Sequence, residues 1–225
     1  MSLIEWKKQK TRLDPRSLAV EVASAGALEG TLIQGTADRK ALTFSVVLRP
    51  RRGARTGLLA VIATFCASEG IRKDTGVITW IRWPDEVVVE KAVLAVTSLT
   101  EGGPEGSRWV ILSFRINRGG FRGPGSISLK DLLGVQVDSD LLVAKVLDSF
   151  SWMHSGWVKE MYPQILTRLT SMLEIPEETV AVVDRDGSAS VGVTKGVDER
   201  GRLIVELGGT GARVTVEEGP KLVRF

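Results

Sequence analysis

The order of apolar and polar residues divides the chain into two textures, a long mixed segment and a short one built of closely spaced β-type stretches. Asp14 as a cap, Pro15 in the first turn and Leu18 and Val22 on one face predict a short amphipathic helix that ends towards Gly26 and Gly30. Thr31 to Gln34 and Leu42 to Leu48 combine β-branched and aromatic residues around a polar break and read as strands. Thr56 is placed to cap a second helix, because Leu58, Leu59, Ile62, Phe65 and Cys66 repeat at the spacing of one helical face. Three further strands are predicted over Val77 to Trp83, Val87 to Thr97 and Trp109 to Ile116. Pro84-Asp85-Glu86 and Gly102-Gly103-Pro104-Glu105-Gly106 separate them. Strands that follow one another without helices form hairpins, so the expected fold is α+β, with a mixed, largely antiparallel sheet packed with helices.

Residues 117–126 are glycine-rich and suit either a close approach to a ligand or a plain connector. Asp138 caps a third helix whose buried face carries Leu142, Val146, Phe150 and Met153. A fourth runs from Trp157 to Leu173, kinked or split by Pro163. The texture changes after Ile175-Pro176-Glu177-Glu178. Five short β-type stretches follow around Thr179, Ser190, Arg202, Arg213 and Lys221, with Asp198-Glu199-Arg200-Gly201 as a hairpin turn. They predict a small SH3-like β-barrel, and hence two domains, 1–177 and 178–225. Gly208-Gly209-Thr210-Gly211 reads as a turn between barrel strands, since a phosphate loop would need a helix after it.

Composition narrows the classes. With 225 residues, 43% hydrophobic and 25% charged, the chain is long enough and apolar enough for a real core, which argues against disorder and fibrous repeats. The longest uncharged apolar run, Thr56 to Ser68, falls short of the roughly 18 residues of a membrane span. Lys7, Lys8 and Lys10 are not followed by an apolar stretch, so a secretory signal is not expected and a cytoplasmic location is. The single Cys66 excludes an internal disulfide or a cysteine zinc site and reads as a packed side chain. The single histidine, His154, reads as a helix-surface residue and not as a base. Net charge is only +3, but residues 1–56 hold eleven basic side chains against five acidic ones, with Arg49, Arg51, Arg52 and Arg55 close together. A solvated basic surface is the plain reading and a phosphate-bearing or acidic partner the alternative. Residues 180–225 hold seven basic and seven acidic side chains, so charge does not point to nucleic acid there.

Several blocks, taken in order, resemble the biotin–protein ligase family of the compact archaeal type, over nearly the whole chain. Glu29-Gly30-Thr31-Leu32 resembles its "EGT" strand opening, and Thr43-Phe44-Ser45-Val46-Val47-Leu48-Arg49-Pro50 its "SVxLRP" strand. Ile81-Arg82-Trp83-Pro84-Asp85-Glu86-Val87-Val88-Val89 resembles its most diagnostic block, "KWPNDVLV". Trp109 to Asn117 resembles the strand that ends "GIGxN", and Ile127-Ser128-Leu129 resembles "TSL". Gly201 to Val205 and Gly219 to Arg224 resemble the last domain's "GxLxV" and "GxVSxR".

The resemblance implies a two-step reaction, in which biotin and ATP form biotinyl-adenylate and a lysine of a carboxylase carrier domain then takes the biotinyl group. It implies biotin, ATP and magnesium as ligands, a biotin carboxyl carrier domain as partner, and a homodimer. The ligand-binding positions it points to are Arg39, Lys40, Arg49, Trp83, Pro84, Asp85, Arg115 and Asn117, with Asp85 and Glu86 for the metal. The family's catalytic lysine falls at Lys91 if a hairpin is shortened, and at Val93 in an ungapped match.

The chain departs from the family where the chemistry sits. Its "GRGRxGR" loop has no counterpart between Leu32 and Leu42 beyond Gly35 and Arg39. Its "STN" appears as Asp14-Pro15-Arg16, and Asp85 and Glu86 replace an Asn and an Asp. The glycine after its lysine becomes Val96 or a neighbour, and Ser113 and Arg115 replace two glycines where bare backbone would lie against the ligand. Removing one charge-assisted hydrogen bond from such a site costs on the order of 2–4 kcal/mol of transition-state stabilisation. The expected protein is therefore ligase-like, impaired or inactive in standard ligation, and still able to bind a carrier domain, a ligase subunit or a small ligand. The alternative is an active biotin or related acyl ligase with a remodelled site.

Overall fold

The computed structural model describes residues 5–36, 38, 40–119, 125–173, 179–183, 188–216 and 222–224. Strand β1 (Lys7–Thr11) leads into helix α1 (Pro15–Ser24), capped by the Asp14 carboxylate, which accepts the Ser17 N–H as the sequence predicts. Then come β2 (Thr31–Gly35), β3 (Ala41–Leu48) and helix α2 (Gly57–Thr75). Strands β4 (Trp80–Arg82), β5 (Glu86–Val89), β6 (Ala92–Gly102) and β7 (Trp109–Asn117) follow without an intervening α-helix. They form one seven-stranded sheet in the order β1-β2-β3-β7-β6-β5-β4, antiparallel except for the β1–β2 pair.

Helix α3 (Leu129–Leu133), α4 (Ser139–Val158) and α5 (Tyr162–Thr170) follow, and α2 and α4 pack against each other on one face of the sheet. α2 carries almost no polar stripe because it is buried nearly all round, from Leu58 to Ile71. Its Gly70 lets α4 approach, since a Cβ there would lie 2.5 Å from a methyl of Val146. Below the helices Phe44 and Phe114 stack at 4.5 Å on neighbouring strands.

Strands β8 (Thr179–Val183), β9 (Ala189–Val197), β10 (Leu203–Leu207), β11 (Arg213–Val216) and β12 (Leu222–Arg224) form a second, antiparallel sheet in the order β11-β10-β9-β8-β12. All five predicted β stretches and both predicted turns are there, and the described pairing is that of a sheet. The boundary near residue 177 lies outside the described residues. Val180, Val197, Leu203, Val205 and Val216 belong to the same hydrophobic cluster as the helices and the large sheet. Gly57 and Gly201 meet at this junction; Gly201 has φ +82°, and a Cβ on it would lie 2.8 Å from the Gly57 carbonyl oxygen.

Four expectations are corrected. Strand β1 was not predicted: a lysine-rich edge strand with no apolar alternation is stabilised by its ladder with β2, which the local pattern does not reveal. The stretch Val87 to Thr97 is a hairpin, not one strand, because Glu90 and Lys91 take φ values of +47° and +72° and reverse the chain. The predicted helix from Trp157 is the end of α4 followed by α5; the chain turns at Lys159 to Met161, and Pro163 sits in the first turn of α5, where its missing N–H is harmless. His154 is buried, 6% exposed, on the inner face of α4. No helix among the described residues is long and apolar enough to cross a membrane.

Candidate functional site

The face of the large sheet turned away from α2 and α4 is only half covered. α1 lies over one end, where Ala19 and Ala23 pack on Ile33, Val47, Trp109 and Ile111. Side chains of the same parity continue past α1 on this face. Register then places Ser45, Ser113 and Ser98 opposite one another on β3, β7 and β6, and Thr43, Arg115, Val96 and Glu86 on β3, β7, β6 and β5. Residues paired in this way project side by side, about 4.5–5.5 Å apart at Cβ. Two rows, polar except for Val96, therefore cross the middle of this face.

These side chains hold one another. The Ser45 and Ser113 hydroxyls are hydrogen-bonded at 2.8 Å. Arg115 donates to Asp38 across 3.4 Å, and the Asp38 carboxylate also accepts the backbone N–H groups of Lys40 and Ala41 at 2.8 and 3.2 Å. Partial burial works to raise the Asp38 carboxyl, but those N–H donors and the Arg115 guanidinium outweigh it and hold it below its ordinary value. At the margin of the row, Gly35 sits so tightly under Pro15 and Thr43 that a Cβ would lie 2.5 Å from the Thr43 hydroxyl.

The predicted site residues separate into three places. Lys40, Arg115 and Asn117 gather at one end of β3 and β7, and Glu86 joins Arg115 in its row. Asn117 is buried and donates to the Val93 carbonyl at 3.2 Å, while the Val93 N–H donates to Gly125, so Asn117 holds the turn end of the β5–β6 hairpin. Lys91 is exposed at that hairpin's tip, and its carbonyl accepts a bond of 2.9 Å from Arg82.

Trp83, Pro84 and Asp85 form a second group, at the junction with the small sheet. The Trp83 ring is 8% exposed and its Nε1 donates to the Gly201 carbonyl at 2.9 Å. The Pro84 carbonyl accepts from the buried Thr64 hydroxyl and the Asp85 carbonyl from the Thr97 N–H, so core hydroxyls and a strand pin this turn. The cavity against Trp83, Pro84 and Val61 holds about 210 Å³. Arg49 stands alone, six residues from Thr43 and thus about 20 Å along an extended chain. Its guanidinium donates to the carbonyls of Ala23, Ala27 and Ser107, tying the end of α1 to the sheet. Arg39 lies outside the described residues.

Glu86 is paired with Arg82 at 3.3 Å, and the described residues contain no group of three or more His, Cys, Asp or Glu able to hold an ion.

A seven-stranded mixed sheet with helices on one face, a half-open polar face on the other and a small antiparallel sheet behind defines the class: this is the biotin protein ligase fold. Biotin protein ligase from Aquifex aeolicus superposes with a TM-score of 0.78 at 16% identity, covering 98% of this chain and 100% of that one. The same enzyme in complex with biotin and ATP gives 0.76 at 16% identity over 100% of both chains. A biotin protein ligase-like protein of unknown function from Silicibacter sp. TM1040 gives 0.77 at 15% identity, covering 94% of each. No family sequence model and no curated protein matches the chain.

Asp38 and Ser45 were missed as site residues. The signal for Ser45 was present, because Thr43 and Ser45 interrupt an apolar strand at every second position in step with Ser113 and Arg115. Asp38 lies in a loop, and only the fold brings it to Arg115.

Proposed function

We propose that this chain is a biotin protein ligase-like protein whose strand face no longer carries out standard biotinyl-adenylate ligation, and which uses the scaffold to bind a carrier domain, a ligase subunit or a small acyl ligand. One observation carries the reading: Ser113 and Arg115 project from the strand at which the family has two glycines, and both are engaged, with Ser45 and with Asp38. A ligand meant to lie against bare backbone meets a serine pair and a guanidinium–carboxylate pair instead. Adenylate formation brings a carboxylate to a phosphate and needs cations and N–H donors already aimed at the developing charge. Here Arg115 faces a carboxylate, Arg49 faces backbone carbonyls, and Glu86 faces Arg82. Biotin, ATP and magnesium are accordingly weak ligands or none. The small sheet closing as an SH3-like barrel, the division into 1–177 and 178–225, the carrier-domain partner, a homodimer and a cytoplasmic location belong to the same proposal and rest on the family likeness.

The alternative, an active biotin or related acyl ligase with a remodelled site, draws on the exposure of Arg115, whose side chain is 49% accessible and whose partner is a surface carboxylate of modest hold. Lys40 and Lys91 would supply further charge at the same end of the sheet. Pyrophosphate exchange with biotin, lipoate or octanoate, with isothermal titration of biotin, ATP and a carrier domain, separates the two. No exchange together with measurable carrier binding supports the first reading. Biotin transfer at an ordinary enzymic rate sinks it.

A further inference from the structure

A cavity of about 840 Å³ lies between the loop after β3, the C-terminal end of α4 and the start of β1, on the helix side of the sheet and away from the polar strand rows. That volume is in the range of small-molecule sites, roughly 300–1,000 Å³. Its wall is aromatic. Trp157 is 5% exposed and holds the loop by donating to the Arg55 carbonyl at 3.1 Å, and Tyr162 lies beneath the Arg55 guanidinium at 4.5 Å. His154, more than nine-tenths buried, also lines it and packs between Phe150 and Trp157 at 5.6 and 5.5 Å.

The rim is basic. Six lining residues carry positive charge and three carry carboxyls, Glu5, Glu29 and Glu160. Glu160 is paired with Arg51, and burial raises the Glu29 carboxyl above its ordinary value. Arg49 gives its guanidinium bonds to carbonyl oxygens only, while its backbone N–H faces the Glu29 carboxyl, and among the described residues no ion pair holds Lys7 or Lys159. Their charge converges on an aromatic-walled pocket in which positive side chains outnumber carboxyls. Exposed Lys7 and Lys159 can reorient towards a ligand, while Arg49 is fixed.

We infer that this cavity is a binding site for a small aromatic anion, a carboxylate or phosphate carried on a flat ring. The ring meets Trp157, Tyr162 and the His154 edge, and the anionic group meets Lys7 and Lys159, in the field of the Arg49 guanidinium, whose own bonds stay with backbone carbonyls. This inference stands apart from the proposal for the strand face, and neither depends on the other.

The chain has one histidine and one tyrosine, and both line this cavity, so their ring signals in NMR spectra report on it without ambiguity. Benzoate and phenyl phosphate serve as probes and phenol as the uncharged control. A saturable shift of both the His154 and Tyr162 signals with benzoate or phenyl phosphate is expected, the tighter probe identifying the anionic group. Lys7→Gln with Lys159→Gln, two exposed substitutions that leave the core untouched, weakens that binding about tenfold or more. The inference is overturned if neither anion produces a saturable shift at millimolar concentration, if phenol shifts the same signals equally, or if the double variant binds unchanged.

Discussion

Ser45 and Ser113 stand directly opposite each other on β3 and β7, and their hydroxyls are bonded at 2.8 Å in the middle of the uncovered sheet face. Beside them Arg115 is paired with Asp38. Replacing Ser113 and Arg115 together by glycine restores bare backbone to this face. The expected result is a gain of about tenfold or more in affinity for a non-hydrolysable biotinyl-adenylate analogue, measured by titration calorimetry. The same variant loses about 1–2 kcal/mol of stability in chemical denaturation, from two strand glycines and a lost hydrogen bond. Unchanged affinity would show that these side chains are not what keeps the ligand off.

The Arg115–Asp38 pair is half-exposed and contributes little to the fold. Arg115→Ala shifts unfolding free energy by less than about 1 kcal/mol, because solvent screens such pairs. Urea titration checks this, and a larger loss would mean that Arg115 organises the loop beyond its salt bridge.

Thr64 donates to or shares its hydroxyl with Ala60, Pro84 and Thr97, at 3.1, 3.0 and 2.7 Å, and is fully buried. Thr64→Val keeps the shape and removes the polar group, leaving the Thr97 hydroxyl and the Pro84 carbonyl short of a partner. A loss of about 1–3 kcal/mol is expected in denaturant unfolding. A neutral result would mean that water replaces the lost donor.

Gly201→Ala forces a Cβ onto a residue at φ +82° and within 2.8 Å of the Gly57 carbonyl oxygen. Strain in the left-handed region alone costs about 1–3 kcal/mol, and the backbone clash adds to it. A lowered melting temperature is expected, together with weaker protection of the Gly201 region in hydrogen exchange, since Trp83 is anchored there.

His154 is held down to about 4 by burial, well below its ordinary 6.5, although the Glu29 carboxyl lies 3.5 Å away. Burial outweighs the carboxyl, so the native imidazole is neutral where the unfolded one takes a proton. The unfolded state binds more protons between those two values, so this contribution to stability is complete above about pH 6.5, falls as pH drops towards 4, and is flat below. The difference in unfolding free energy between wild type and His154→Gln, followed from pH 8 to 4 by urea titration, is expected to narrow in that window. A pH-independent difference would place the proton elsewhere.

Much of the fold was legible because most elements carry their own local signal. Asp14-Pro15 announced α1, the spacing from Leu58 to Cys66 announced α2, and the turn Asp198 to Gly201 placed the β9–β10 hairpin. The ordered motifs pointed to the ligase fold at an identity that sequence comparison alone does not detect. The candidate site was only half legible. The spacing singles out Arg115 and Asn117 but not that Arg49 also ties α1 to the end of β3, nor that His154, which reads as a helix-surface residue, is buried.

What the chain determined by itself was therefore where most helices and most strands lie and which residues form the greater part of their apolar faces, since both follow from spacing and caps. Pairing was decided only in three dimensions. That a lysine-rich segment joins β2, that Glu90 and Lys91 reverse the chain, that Asp38 meets Arg115 and that one histidine sinks among aromatic rings all depend on strand register and helix packing. Register brings together residues as far apart in sequence as Asp38 and Arg115, and the free energy of such pairing overrides local preference.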